Sequence, residues 1–223
     1  MTDHRPRVLI TQSDRYMGPA IAARFEELGY ELILGRSPLI SEQDIESLVA
    51  DAGRVDIVVA NLAMSPMTAP VEAIETSDWE SLFSALVSPL MFLARAVVPQ
   101  MKQRQAGKII AITSAAPLKG IPNNTAYCAA RGAQNSFIKA LGMELARDGI
   151  QVNAIAQNYI NNDTYYPDNL LNNEKFQSHV KRNVPTGKVG RAAETAALAA
   201  YLASDDCRHM VGQILPLAGG WTT

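Results

Sequence analysis

Six short stretches rich in β-branched and apolar residues, at positions 8–11, 31–34, 56–60, 108–113, 152–156 and 214–217, run with little polar interruption. Such runs read as strands buried on both faces. Between them lie amphipathic patterns of helical period at 18–28, 41–52, 77–103, 124–147 and 191–203. The third opens on Ser77-Asp78-Trp79-Glu80, which reads as a capping box, and Pro89 is expected to kink it. Strands alternating with helices imply right-handed crossovers and therefore an α/β fold: a three-layer αβα, Rossmann-like, doubly wound parallel sheet. Ligands of such sheets bind beyond the carboxyl ends of the strands. The segments leaving those ends are 12–18, 61–70, 114–124 and 157–173, and the last is too long and polar to be a mere connector.

Composition narrows the function classes. With 223 residues, 48% of them hydrophobic, the chain can bury one sizeable core, and a single domain over 1–223 is expected. A net charge of −2 without long like-charged runs argues against nucleic acid as a partner. The only apolar run near the start is Val8-Leu9-Ile10, too short for a signal peptide or membrane span, so a soluble cytoplasmic protein is expected. Cys128 and Cys207 read as structural thiols, and His4, His179 and His209 are too scattered for a metal site and read as solvated.

One constellation carries chemistry. Ser114 follows the fourth strand, while Tyr127 and Arg131 stand i and i+4 on the next helix and so share a face. A free phenol, with a pKa of about 10, is a poor base at neutral pH. A neighbouring guanidinium favours the phenolate, and arginine itself stays charged at any working pH. Tyr127 can then act as general base while Ser114 holds a substrate oxygen.

Ser114, twelve intervening residues and Tyr127-Cys128-Ala129-Ala130-Arg131 resemble the active-site signature of the short-chain dehydrogenase/reductase superfamily. Asn61-Leu62-Ala63, Val152-Asn153-Ala154-Ile155 and Leu217-Ala218-Gly219-Gly220 extend the likeness over nearly the whole chain. Two departures stand out. The superfamily has lysine where Arg131 stands, and its first loop reads Thr-Gly-x-x-x-Gly-x-Gly where this chain has Thr11-Gln12-Ser13-Asp14-Arg15-Tyr16-Met17-Gly18. Close approach of backbone to a pyrophosphate needs glycine's missing side chain, so Gln12 and Tyr16 stand in the dinucleotide's way. The second strand also ends in Leu34-Gly35-Arg36, without a ribose-binding acid.

Thr11-x4-Tyr16-x-Gly18 together with Ser114, Tyr127 and Arg131 is similar to the halohydrin dehalogenases, a family within that superfamily. The resemblance implies removal of halide from vicinal halohydrins to give epoxides, and the reverse opening of epoxides by halide, azide, cyanide or nitrite, with no cofactor. It further implies that Gln157, Asn158, Tyr159 and Ile160 form a halide-binding segment, that Tyr16 and Thr11 belong to the loop lining that pocket, and that Pro66 and Thr68 adjoin it. Small-molecule halohydrins or epoxides and small anions are the implied partners, and a homotetramer paired through the helices at 77–103 and 124–147 the implied assembly. Two other readings stay open: a nicotinamide-dependent short-chain reductase, for which Arg36 could meet a 2′-phosphate, and a catalytically idle ligand-binding protein of the same fold.

Overall fold

The computed structural model describes residues 5–36, 39 and 41–222. His4 lies outside the described residues. Six parallel strands are laid down in the order β2-β1-β3-β4-β5-β6: β1 (Arg7–Thr11), β2 (Glu31–Gly35), β3 (Ile57–Asn61), β4 (Gly107–Ser114), β5 (Ile150–Gln157) and β6 (Ile214–Leu217). The order reverses between β1 and β3, which pair Val8 with Ile57 and Ile10 with Val59. A crevice for ligand opens at such a reversal.

Alternate side chains explain the two covered faces. Leu9, Val58, Ile109 and Val152 pack against α2 (Glu42–Ala52), α4 (Ser88–Arg104) and α6 (Thr125–Leu145). Val8, Ile10, Val59, Ile110 and Ile155 pack against α1 (Gly18–Glu27) and α9 (Ala192–Ala203). Each of these fully buried aliphatic side chains contributes about 1.5–3 kcal/mol relative to exposure, which is why the strands read as unbroken apolar runs.

The helical segment expected at 77–103 is two helices, α3 (Thr76–Leu86) and α4, interrupted at Val87. Pro89 sits in the first turn of α4, where its missing N–H costs nothing, so the break falls two residues ahead of it. The capping box does not form: Glu75 is the N-cap, with extended backbone, and Ser77 already lies inside the first turn. Among the described residues Thr76–Arg104 is the one stretch long and apolar enough to cross a membrane. Its Leu82, Leu86, Leu90, Leu93, Val97 and Met101 are instead core residues of the sandwich.

Three short helices escaped the sequence pattern. These are α5 (Ala116–Lys119), α7 (Asp168–Leu171) and α8 (Glu174–Asn183). The last is capped by Asn173, whose side chain accepts from the Lys175 and Phe176 amides at 3.0 and 3.1 Å, and it buries only Val180 fully, its few apolar residues set in a strongly polar sequence.

Candidate active site

Ser114 is the last residue of β4, and its Oγ accepts from the Ala116 amide at 3.1 Å. The hydroxyl proton goes to no acceptor among the described residues, so it is available to a ligand oxygen. Residue 114 also fixes the neighbouring helix: its carbonyl accepts from Asn135 Nδ2 at 3.3 Å.

One helical turn separates Tyr127 from Arg131 on α6, and Arg131 Nε donates to Tyr127 Oη at 3.1 Å. Arg131 is 3% exposed, Tyr127 8% and Ser114 7%. Arg131 Nη1 is held by the Leu62 carbonyl and by Gln134 Oε1, each at 2.9 Å. The ion pairs among the described residues all involve other side chains, so this buried cation has no carboxylate partner there. Burial works against its charge, yet attraction to the Tyr127 and Tyr165 oxygens outweighs that and raises its pKa, so it stays cationic. An uncompensated buried cation disposes a site to hold an anion.

A cavity of about 130 Å³ opens over these groups at the carboxyl ends of β3, β4 and β5. Ser114, Tyr127 and Arg131 line it together with Tyr16, Pro66, Gln157, Asn158, Tyr159 and Ile160. Two of the residues expected there lie elsewhere. Thr11 is fully buried beneath the cavity with its hydroxyl donated to the Asn61 carbonyl at 3.2 Å, and Thr68 is exposed, 3.5 Å from Asn124 Oδ1.

The first loop keeps left-handed backbone at the two positions, 12 and 16, where its glycines have been replaced. Gln12 and Tyr16 adopt φ of 44° and 54°, in the left-handed region that L side chains rarely occupy. Side chains hold them there: Gln12 Oε1 accepts from the Ala63 amide at 2.9 Å and its Nε2 donates to the Ala63 carbonyl at 3.2 Å. Asn61 Nδ2 ties the same loop to β3 through the Gln12 and Arg15 carbonyls at 3.0 and 3.1 Å. Gly18 survives because a Cβ there would lie 2.2 Å from the Gln12 carbonyl oxygen.

Several wall residues carried no signal recognised in the sequence. Tyr165 packs its ring 5.5 Å from that of Tyr16, donates its hydroxyl to the Met64 carbonyl, and lines the cavity together with Tyr127 and Arg131. Tyr166 donates to Asn158 Oδ1 at 2.9 Å. Burial, foremost, pushes both phenols well above their ordinary pKa and keeps them protonated. Tyr159 adopts φ of 51°, and its hydroxyl lies 3.1 Å from Nε2 of His179, which is exposed to solvent as expected while touching the outer side of this wall residue.

A family model described as enoyl-(acyl carrier protein) reductase matches residues 39–222. This chain belongs to the short-chain dehydrogenase/reductase superfamily. Among curated members it is 30% identical to a 3-oxoacyl-[acyl-carrier-protein] reductase of Haemophilus influenzae, over 96% of this chain and 86% of that one. It is also 30% identical to nodulation protein G of Rhizobium sp. (strain N33), over 87% and 79%. Similar solved structures include a protein described as a dehalogenation enzyme, with TM-score 0.85 and 28% identity over 99% of this chain and 100% of that one. Another is a halohydrin dehalogenase bound to ethyl (2S)-oxiran-2-ylacetate, with TM-score 0.89 and 27% identity over 96% of each chain. Within the superfamily, this chain therefore has both reductases and dehalogenases as distant relatives.

Proposed function

We propose that this chain is a halohydrin dehalogenase working without a nicotinamide cofactor. The observation that carries the reading is the buried Arg131 guanidinium, donating to Tyr127 Oη and unshared with any described carboxylate. Such a cation favours the phenolate of the residue beside it, which a proton-abstracting enzyme needs. The first loop agrees: the Gln12 side chain and the Tyr16 ring fill ground that a dinucleotide-binding loop leaves to glycine.

In the reaction, Ser114 donates its hydroxyl proton to the substrate oxygen as a hydrogen bond. Tyr127, as phenolate, takes the substrate's O–H proton. The alkoxide so formed attacks the neighbouring carbon from behind, a C–O bond forms, and the carbon–halogen bond breaks with its electron pair leaving on the halide. Epoxide and halide are released, and the proton on Tyr127 passes to solvent. Asn158, Tyr159 and Ile160, with Tyr16 and Pro66, make the wall against which the halide departs. General-base assistance of this kind supplies about 10²–10⁴-fold, and in-line alignment of oxygen, carbon and halide adds to it.

The homotetramer belongs to the same proposal. Met143 on α6 is 75% exposed and Trp79 on α3 41%, apolar surface that pairing of these helices would cover.

Reductase relatives at 30% identity favour a second reading, nicotinamide-dependent reduction of a small carbonyl compound. Supplying an epoxide with azide and no nicotinamide separates the two. A dehalogenase converts it to the azido alcohol. A chain that leaves the epoxide untouched but oxidises NADPH in the presence of carbonyl substrates is a reductase.

A further inference from the structure

We infer that Gln134 is a positioning residue, which aims the Arg131 guanidinium at Tyr127 without neutralising it. This rests on the reading of Tyr127 as the proton acceptor. Gln134 stands one turn beyond Arg131 on α6 and is 1% exposed, an unusual place for an amide side chain. Both ends of that amide are committed. Oε1 accepts from Arg131 Nη1 at 2.9 Å, and Nε2 donates to the Leu86 carbonyl at 2.6 Å.

These two bonds fix which way the amide faces, because the reverse orientation would set its NH₂ against the guanidinium and its oxygen against a carbonyl. Leu86 is the last residue of α3, beside the Val87 interruption, so Gln134 fastens the catalytic arginine to the end of a neighbouring helix. With the Leu62 carbonyl taking the other bond from Nη1, rotation of the guanidinium is blocked and Nε is left facing Tyr127 Oη.

The neutrality of the anchor matters as much as its position. A glutamate of the same length would reach the same Nη1 but would form an ion pair and cancel much of the field that Arg131 exerts on the phenol. An amide accepts the hydrogen bond and leaves the charge in place.

The test uses Gln134→Glu and Gln134→Met, each with and without Tyr127→Phe, so that phenolate absorbance belonging to Tyr127 is obtained by difference. In Gln134→Glu the midpoint of that ionisation is expected to move to higher pH, by about one unit for a new carboxylate beside the guanidinium. In Gln134→Met, with turnover of 1,3-dichloro-2-propanol as the readout, kcat is expected to fall on the order of 10-fold while KM changes little, the pattern of lost orientation. A Gln134→Glu protein that folds and titrates like wild type overturns the inference. Should Gln134→Glu fail to fold, Gln134→Met decides: wild-type kcat overturns it. The absorbance titration needs no turnover, so a chain inactive on halohydrins would refute the proposed reaction while the positioning role is still decided by the shift.

Discussion

Arg131 Nε lies 3.1 Å from Tyr127 Oη, one turn along the same helix, and Arg131 Nη1 is bonded to a carbonyl and an amide rather than to an acid. Position and charge are thus supplied separately: α6 and its neutral anchors fix the geometry, and the uncompensated cation acts on the phenol. A lysine, the superfamily's usual residue here, offers a compact ammonium on a flexible stem and no planar fork.

Replacing Arg131 by lysine tests that distinction. One ammonium cannot meet the Leu62 carbonyl, Gln134 and Tyr127 in the geometry the guanidinium provides. Loss of kcat on the order of 10²-fold is expected in steady-state halide release, the scale for removing a preorganised donor. Turnover within about twofold of wild type would show that any cation at this position suffices.

Alkaline stability follows from the cavity wall. The folded-state pKa values of Tyr165 and Tyr166 are raised, chiefly by burial, so their contribution to stability is fully present below the unfolded phenol value and is lost as pH rises above it. Lys108, lowered by desolvation, works in the opposite sense but is only half-buried. The urea midpoint should therefore stay flat to about pH 9 and fall beyond about pH 10. Tyr165→Phe should flatten that fall, and an unchanged alkaline slope in the variant would contradict the assignment.

Gly18 is a packing requirement rather than a remnant. A Cβ there would meet the Gln12 carbonyl oxygen at 2.2 Å and Ser13 backbone atoms at 2.7 Å, none of which can swing aside as a side chain can. Gly18→Ala should cost about 3 kcal/mol, which for a chain of this size is roughly 6–12 °C in melting temperature. Calorimetry showing an unshifted transition would mean that the loop adapts freely.

Much of this arrangement was legible in the sequence because it rests on local pattern. The strands were marked by apolar runs buried on both faces, and Ser114, Tyr127 and Arg131 by strand-end position and helical spacing. The residues that were not legible act across distance. Tyr165 and Tyr166 lie in a polar segment, and their place in the wall depends on chain return from β5, which no spacing rule reports. Gln134 had a readable hint, an amide at i+3 from Arg131, but its second partner, Leu86, is 48 residues away. Thr11 was misplaced for the opposite reason: its position in the loop motif is correct, but its side chain turns down to Asn61. The left-handed backbone at Gln12 and Tyr16 could not be read from residue types that ordinarily avoid it.

Simultaneous measurement of chloride and proton release from 1,3-dichloro-2-propanol, with purified protein and no added nicotinamide, bears on the proposed reaction more directly than any other experiment. Chloride and protons should appear together in equal amounts, and Tyr127→Phe, which removes only the accepting oxygen, should lower the rate by about 10²–10⁴-fold with the fold intact. No chloride from the wild-type chain, alongside NADPH oxidation with a carbonyl substrate, would contradict it and identify a reductase.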